Sequence, residues 1–301
     1  VDTVGSGVAN VKPGDHVVFS FRPNCGHCRY CASGRSVLCI GHNDTPRWVM
    51  HDGTTRLTLD GKPLHQMARI GTFSEFVVCP AEQVVAVRKD LKWEHAAIIG
   101  CSVSTGVGAV IRHAKVPAGS NVLVIGCGGV GLNIVQGARL AGAETIIAAD
   151  LLDNKLAYAR TFGATHTINH ARSKSVVADI DKIRKGGVDF SIETSALPNV
   201  FREAVESLQQ GGGQCVLLGS ARSGTDVAFE MRNLQRGRLV RGVVQGEARP
   251  KDFLPKLIDL MAAGRMPFER LIRTYDLADI NTAVADAEAG RTIKPVLRLP
   301  H

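Results

Sequence analysis

The 301 residues of this chain are long enough to form two domains with substantial hydrophobic cores. Hydrophobic residues make up 45% of the sequence and charged residues 21%, which is ordinary for a globular protein. No uninterrupted apolar run approaches the length of a membrane span, and no signal peptide opens the chain. We therefore expect a cytoplasmic protein with no membrane partner.

The net charge of +8 at pH 7 raises the question of an acidic partner. Most of the excess is dispersed, and one basic cluster contains Arg232, Arg236, Arg238 and Arg241. Such a cluster is usually a solvated face, and aromatic residues at 5% offer few platforms on which bases could stack. We therefore expect no nucleic-acid partner.

The first block of the chain has the pattern of a compact β-rich domain. A turn at residues 12–14 leads into a strand that ends at Phe19, and residues 43–66 are polar and rich in turn signals. Residues 72–78 alternate between apolar and polar side chains, which predicts a further strand. A short helix is predicted at residues 94–100.

Four of the eight cysteines lie close together, as Cys25, Cys28, Cys31 and Cys39. Two-residue gaps allow consecutive thiolates to bind one ion, and the later cysteine completes a tetrahedron. Four sulfur ligands leave no open position, so we expect a structural zinc rather than a catalytic one. The absence of an export signal favours metal over disulfides, and disulfide pairs or an iron–sulfur cluster are the alternatives.

Residues 121–150 predict a strand, a glycine-rich turn, a helix and a second strand. The buried strand at residues 122–125 precedes Gly126, Gly128 and Gly131, which have G-x-G-x-x-G spacing, with Gly129 between them. The first of the three glycines permits a tight turn, the second lets the backbone approach a pyrophosphate, and the third lets the helix pack on the strand. A glycine-rich turn alone is a weak signal, but this order of elements favours a dinucleotide site.

Asp150 ends the second of these strands, nineteen residues after Gly131. A carboxylate at this place can accept hydrogen bonds from the ribose hydroxyls of an adenosine. It would repel a 2′-phosphate, and Leu151 and Leu152 supply no arginine for one. The site is therefore predicted to bind NAD rather than NADP.

Strands and helices continue to alternate after Asp150, which predicts an α/β fold with a doubly wound parallel sheet. Helices are predicted at residues 153–162 (with Asp153 as a possible N-cap), 199–209, 252–263 and 278–289, and strands at 188–193, 215–219, 239–244 and 294–299. The last strand could rejoin the first block.

The four-cysteine cluster is followed by the Gly-Cys…Ser-Thr-Gly stretch at residues 100–106 and by the glycine turn. In this combination the chain resembles the zinc-dependent medium-chain alcohol dehydrogenases over essentially its whole length. The resemblance implies a GroES-like β-rich catalytic domain at residues 1–102, a Rossmann NAD-binding domain at 103–244, and a return to the catalytic domain at 245–301. It implies reversible hydride transfer from a primary or secondary alcohol to NAD, giving an aldehyde or ketone, in a homo-oligomer (a dimer or tetramer).

The resemblance also implies roles for individual residues. Cys101 matches the last protein ligand of the catalytic zinc, although a buried structural cysteine is the alternative. Lys294 stands where the family often has an arginine on the pyrophosphate, and lysine keeps the charge but not the two-pronged geometry. The other implied roles are contact with nicotinamide (Thr105, Val130), contact with the adenosine ribose (Asp150, Lys155) and an apolar substrate pocket or, equally, core packing (Phe21, Met67, Ala68, Val244).

The front of the chain departs from the family pattern. The family's other two catalytic ligands, a cysteine and a histidine, correspond to positions before Val1, and so does a Gly-His-Glu motif. None of the histidines that we considered stands at a position that matches the family's catalytic zinc ligands (His16, His27, His42, His51). A catalytic zinc takes three protein ligands, so we expect an N-terminally truncated chain that is inactive as given.

Two other functions stay open at this point. One is an S-(hydroxymethyl)glutathione dehydrogenase, because residues 50–56 resemble a loop found in that enzyme. Against it, Gly41, His42 and Asn43 stand where an arginine for the glutathione carboxylate is expected. The other is a non-catalytic NAD- and zinc-binding fragment.

Overall fold

The computed structural model describes residues 1–41, 46 and 48–300. These residues form two compact units. The first unit consists of Val1–Ser104, Ala248–Gly264 and Phe268–His301, and the second of Thr105–Glu247 and Arg265–Pro267. The domain limits at 102/103 and 244/245 stay a prediction, and the compact units divide after Ser104 and after Glu247.

Short strands and helices make up the start of the first unit. In chain order they are β1 (His16–Phe19), α1 (Arg29–Ala32), β2 (Leu57–Leu59), β3 (Lys62–Leu64), β4 (Val84–Val87) and α2 (Trp93–Ile98). β1 pairs antiparallel with β4, and β2 pairs antiparallel with β3. The prediction of a strand at residues 72–78 is wrong. No described strand pairs with this segment, and its Phe73 and Phe76 side chains are 72% and 78% exposed.

The helix predicted at residues 94–100 is much longer than the sequence pattern indicated. It runs over Trp93–Ala114, through π-helical turns at Ile99–Val103 and Ala109–Ala114 and the regular segment α3 (Ser104–Gly108). By length and composition it is the one helix in the described part of the chain that could cross a membrane. Because 72% of its most apolar window is buried, it is built like the core helix of a folded domain.

The second unit is a parallel sheet with helices between its strands. Its elements are β5 (Asn121–Ile125), α4 (Gly129–Leu140), β6 (Thr145–Asp150), α5 (Asp153–Phe162), β7 (His166–Asn169), α6 (Val176–Ile183), β8 (Phe190–Glu193), α7 (Pro198–Glu206), β9 (Gln214–Leu217), α8 (Met231–Gln235) and β10 (Leu239–Gly242). The predicted doubly wound parallel sheet is confirmed, and β7 and α6 are elements that the sequence pattern did not indicate.

The strand order β10-β9-β8-β5-β6-β7 locates the ligand crevice of this sheet. β5 is buried along its whole length, as expected for a central parallel strand that is covered on both faces. The chain proceeds from β5 to β6 and β7 on one side, then returns to β8, β9 and β10 on the other. Ligands of doubly wound sheets bind at the carboxyl end of such a switch point, which here is the start of the glycine turn.

The remaining elements return to the first unit. They are α9 (Pro250–Ala262), β11 (Ile272–Asp276), α10 (Ile280–Glu288) and β12 (Lys294–Arg298). α9 packs against β4 and against the helical turn at Ile99–Val103. The predicted closing strand forms as β12, which pairs in parallel with β11.

Candidate dinucleotide site and zinc centre

The glycine turn joins β5 to α4 with a different steric requirement at each glycine. Gly126 has a φ of +91°, which favours glycine, and a Cβ at Gly131 would overlap the carbonyl oxygen of Gly126. A Cβ at Gly128 would have no heavy atom within 4 Å. Gly126 and Gly131 therefore serve the turn and its packing, whereas the surface over Gly128 is open to a ligand.

Asp150 is fixed to this turn by hydrogen bonds. Its Oδ2 accepts from the backbone N–H of Cys127 at 2.7 Å, and its Oδ1 accepts from the N–H of Leu152 at 3.0 Å. Asp150 is half-buried, and a carboxylate has about four lone-pair sites, so acceptor capacity remains for ribose hydroxyls. The open turn and this carboxylate are what an adenosine diphosphate moiety requires, and NAD fits the site.

The charge of Lys155 also acts at the turn. Burial raises the pKa of the Cys127 thiol, the Asp150 carboxylate raises that pKa further, and the Lys155 ammonium lowers it. Both charges predicted to contact the adenosine ribose thus lie near the same buried thiol. Cys127 itself is enclosed and unavailable to a ligand.

Thr105 and Val130 come from neighbouring segments of the second unit. Thr105 is buried, and Val130 is half-buried in the first turn of α4. A Cβ on Gly106, the next residue after Thr105, would lie only 2.6 Å from the carbonyl oxygen of Val130. The glycine of the Ser-Thr-Gly stretch therefore permits the close approach that brings these two residues together.

The sulfur atoms of Cys25, Cys28, Cys31 and Cys39 form one cluster. All four cysteines are free, and their Sγ atoms lie within 4.8 Å of one another, which favours one four-sulfur metal centre over two disulfide pairs. Cys31 Sγ is 4.0 Å from Cys25 Sγ and 3.6 Å from Cys28 Sγ, and Cys28 Sγ is 3.9 Å from Cys39 Sγ. Zn–S bonds of about 2.3 Å require sulfur atoms about 3.8 Å apart in a tetrahedron, so zinc fits.

The backbone around the cluster also favours thiolates. Cys25 Sγ accepts from the N–H of Cys28, and Cys39 Sγ accepts from the N–H groups of Cys25 and Gly41, each at 3.3 Å. Backbone N–H groups, first that of Cys31 and then that of Ile40, lower the pKa of Cys28 to about 5. Burial instead raises the pKa of Cys31 to about 12, so a bound cation is needed for all four sulfurs to be thiolates.

Cys101 lies in the helical turn at Ile99–Val103 of the first unit. A Cβ on the preceding Gly100 would overlap the carbonyl oxygen of Phe19, so the close approach of β1 explains the Gly-Cys pair. Cys101 reaches solvent, yet the surrounding protein raises the pKa of its thiol, and the nearby Lys294 ammonium lowers it. Lys294, the first residue of β12, is thus a neighbour of Cys101 within this unit.

No second ligand for Cys101 is found in the described ranges. Within them, the four-cysteine cluster is the one group of three or more His, Cys, Asp or Glu side chains that could hold a metal ion. His16 packs on Trp93 with ring centroids 4.2 Å apart, and His42 lies outside the described residues. A catalytic zinc with three protein ligands does not fit the described residues alone.

The four predicted pocket residues are divided between the two units. Phe21, Met67 and Ala68 belong to the first unit and Val244 to the second. The buried Gln83, which the sequence did not single out, donates to the carbonyl oxygens of Ser20 at 3.1 Å and Ala68 at 2.9 Å. It joins the segments that carry Phe21 and Ala68, while Met67 is 82% exposed.

The loop at residues 50–56 is held by its own polar side chains. Asp52 accepts from Arg56 Nη2 at 2.8 Å and from the N–H of Thr54 at 2.9 Å. The Arg56 guanidinium, and then Thr54, lower the pKa of the Asp52 carboxyl. The neighbouring positions His42 and Asn43, on which the glutathione hypothesis turned, lie outside the described residues.

Comparison with known proteins agrees with this geometry. Residues 1–89 match the alcohol dehydrogenase GroES-like domain, and residues 129–263 match the zinc-binding dehydrogenase family. An S-(hydroxymethyl)glutathione dehydrogenase of Paracoccus denitrificans is 38% identical over 303 residues, which cover 98% of this chain and 81% of that protein. A protein of the same name from Escherichia coli (O1:K1 / APEC) is 38% identical over 298 residues, with the same coverage.

Solved structures give the same result. An alcohol dehydrogenase zinc-binding domain protein from Burkholderia ambifaria has a TM-score of 0.93 and 37% identity, covering 100% of this chain and 81% of its own. Benzyl alcohol dehydrogenase from Acinetobacter calcoaceticus has a TM-score of 0.91 and 32% identity, covering 99% and 81%. The chain belongs to the zinc-dependent medium-chain alcohol dehydrogenase family. Its cofactors are NAD and zinc, and its class is that of the NAD-dependent alcohol dehydrogenases, which act on small-molecule alcohols.

Substitutions at two of the glycines separate ligand contact from folding. We expect Gly128→Ala to leave the melting temperature unchanged, because its Cβ meets no protein atom, but to weaken NAD binding, because the methyl group occupies the approach of the pyrophosphate. Gly131→Ala should lower the melting temperature by several degrees, because its Cβ overlaps the carbonyl oxygen of Gly126. Thermal melts and NAD titrations check both, and unchanged NAD affinity in Gly128→Ala would remove the dinucleotide from this turn.

Proposed function

We propose that this protein's chemistry is NAD-linked oxidation of a primary or secondary alcohol to an aldehyde or ketone. The observation that carries the proposal is the hydrogen bond from the Cys127 N–H to Asp150 at the carboxyl end of β5, beside the open Gly128. Fixed acceptors for a ribose and an open backbone surface for a diphosphate occur together there.

Each predicted cofactor residue has a role in this proposal. The backbone from Gly126 to Gly131, which includes Gly129 at the start of α4, receives the diphosphate. Asp150 accepts from the adenosine ribose, and Lys155 supplies a positive charge there. Thr105 and Val130 lie against the nicotinamide, and Lys294 provides a further cation for the diphosphate. NAD supplies the hydride acceptor when bound, and the residues of the chain hold and orient it.

Substitution of Asp150 tests the proposed ribose contact. Asp150→Ala should raise the Kd for NAD about tenfold or more, because hydrogen bonds to a charged group contribute about 1.5–3 kcal/mol, and the Kd for NADP should change less. Asp153→Ala is the matched control, because that carboxylate binds Asn169 and Arg172 instead. An unchanged ratio of the two dissociation constants in Asp150→Ala would mean that the acid does not contact the ribose.

We further propose that these 301 residues, assayed alone, bind NAD and one structural zinc without oxidising alcohols. Cys101 would be a single zinc ligand, and a catalytic zinc requires three from protein together with an open position.

Metal analysis and an activity assay test this proposal together. The purified protein should contain one zinc per chain, Cys28→Ser should lose it, and Cys101→Ser should keep both the zinc and the affinity for NAD. Alcohol-dependent formation of NADH is expected to be absent. Measurable turnover, or a second zinc that Cys101→Ser removes, would contradict the proposal.

The glutathione adduct is a second candidate substrate. Two relatives at 38% identity carry the name S-(hydroxymethyl)glutathione dehydrogenase, whereas a structural relative at 32% identity is a benzyl alcohol dehydrogenase. The absence of an arginine at residues 41–43 favours a plain alcohol. NADH formation assayed with both substrates, in a protein that carries a complete catalytic zinc site in addition to these residues, ranks them: a larger kcat/KM for the glutathione adduct would reverse this choice.

We also propose a homo-oligomer, a dimer or tetramer. The terminal strand β10 has an exposed edge, and its Leu239 and Val240 are 51% and 38% exposed. An apolar, unpaired strand edge is an unfavourable surface for a free monomer. The molar mass in solution should be a multiple of the 32.1 kDa chain, and a monomer at micromolar concentration would contradict the proposal.

A further inference from the structure

Glu193 has a buried carboxylate, and none of the site roles predicted from the sequence involves it. It ends β8 and is 0% exposed. Its carboxylate accepts hydrogen bonds from the N–H and the hydroxyl of Ser195 and, at 3.1 Å, from the N–H of Ala196. Because a buried carboxylate is costly unless its oxygens are hydrogen-bonded, these donors strongly restrict the conformation of residues 194–196.

Residues 194–196 form a short loop that lies against the glycine turn. Thr194 Oγ1 donates to the carbonyl oxygen of Ile125 at 2.9 Å and lies 3.3 Å from that of Gly126. A Cβ on Gly126 would overlap Thr194 Oγ1, and a Cβ on Gly219 would overlap the backbone nitrogen of Ala196. The loop is therefore enclosed between two glycines, one of which begins the dinucleotide turn.

The loop also contains an unfavourable backbone conformation. Ala196 has a φ of +60°, in the left-handed region, which costs about 1–2 kcal/mol for a residue with a Cβ. Such a conformation persists where the surroundings enforce it, and here the Ala196 N–H is bound by the carboxylate of Glu193. The carboxylate therefore offsets the cost of the conformation that keeps Thr194 on the turn.

We propose that Glu193 is a positioning residue for the cofactor. By holding residues 194–196 in place, it keeps Thr194 on the carbonyl groups of Ile125 and Gly126 and so maintains the turn in the shape that receives the diphosphate. The inference rests on the proposed NAD site at Gly126–Gly131, and it adds a residue from the far side of the switch point. Glu193 therefore acts through the loop and not by contact with the cofactor.

A neutral isostere at this position weakens the restraint with little change in volume. Glu193→Gln keeps one acceptor oxygen for the N–H groups of Ser195 and Ala196, but that oxygen is no longer part of a carboxylate, and the NH₂ group cannot accept the second branch of the Ala196 bond. The fraction of molecules with the loop in place should fall, and the apparent Kd rises as the inverse of that fraction. Because hydrogen bonds to a neutral acceptor are about half as strong as those to a carboxylate, we expect the Kd for NAD to rise by more than twofold, with the zinc content unchanged.

The experiment compares NAD titrations and thermal melts of four proteins: the unmodified chain, Glu193→Gln, Glu206→Gln and the double variant Glu193→Gln/Ala196→Gly. Glu206 is the matched control, because it is a half-exposed carboxylate in the same unit, 3.7 Å from Arg202, and should bind NAD normally. Ala196→Gly adopts a positive φ without steric cost, so it should restore much of the NAD affinity to Glu193→Gln. General destabilisation of the fold would not produce such a rescue of affinity.

Three results would overturn the proposal. In the first, Glu193→Gln binds NAD within twofold of the unmodified chain. In the second, Glu193→Gln loses affinity and the double variant regains the melting temperature but not the affinity, so that Glu193 is structural only. In the third, the unmodified chain fails to bind NAD, which overturns the proposed NAD site and this inference with it.

Discussion

The close approach of backbone to backbone at the end of β5 is the constraint on which the cofactor site depends. Gly131 lies so near the carbonyl oxygen of Gly126 that no side chain fits between α4 and the turn. Helix α4 begins at Gly129, inside this turn, and the N–H of Cys127 in the same turn donates to Asp150. A single steric requirement thus shapes both the turn proposed for the diphosphate and the setting of the acid proposed for the ribose.

The zinc centre meets a different structural need. The segment around Cys25–Cys39 contains only α1, with four residues, and a single 3₁₀ turn at Ser36–Leu38. Its buried side chains are few, with Cys31, Ser36 and Val37 among them. A segment that buries so little apolar surface gains little from the hydrophobic effect, and metal–thiolate bonds can replace that contribution. The cysteines therefore act here as a substitute for a core.

Local patterns predicted much of this structure from the sequence. The strand at residues 122–125 and the place of Asp150 at the end of the next strand were predicted correctly, because hydrophobic runs and fixed spacing report on neighbours along the chain. The strand at residues 72–78 failed because an alternating pattern forms a strand only with a pairing partner, and none is described. The prediction of Asp153 as the N-cap of α5 was wrong, because Leu152 is the N-cap residue. The Asp153 carboxylate instead accepts hydrogen bonds from Asn169, at the end of β7, and from Arg172 just after it.

Roles that depend on distant strands could not be predicted in this way. In the sequence, nothing distinguishes Glu193 from other acidic residues at strand ends. It is buried because β8 pairs with β5, a strand far earlier in the chain. Gln83 is similar, because its amide joins Ser20 to Ala68 through a tertiary contact. Single-sequence patterns carry no information about such contacts, so both residues became apparent only in three dimensions.

Cofactor binding and turnover make different demands on this chain, and the structure separates them. The residues proposed for the adenosine and diphosphate from Gly126 to Lys155 belong to one compact unit, and Lys294 of the first unit is the proposed contact outside it. A catalytic zinc instead needs three protein ligands, of which Cys101 is the one proposed in this chain. A unit that organises its own dinucleotide site can bind NAD whether or not that metal site is complete. The affinity for NAD therefore measures whether the second unit forms its dinucleotide site. Turnover measures whether the catalytic zinc site is complete.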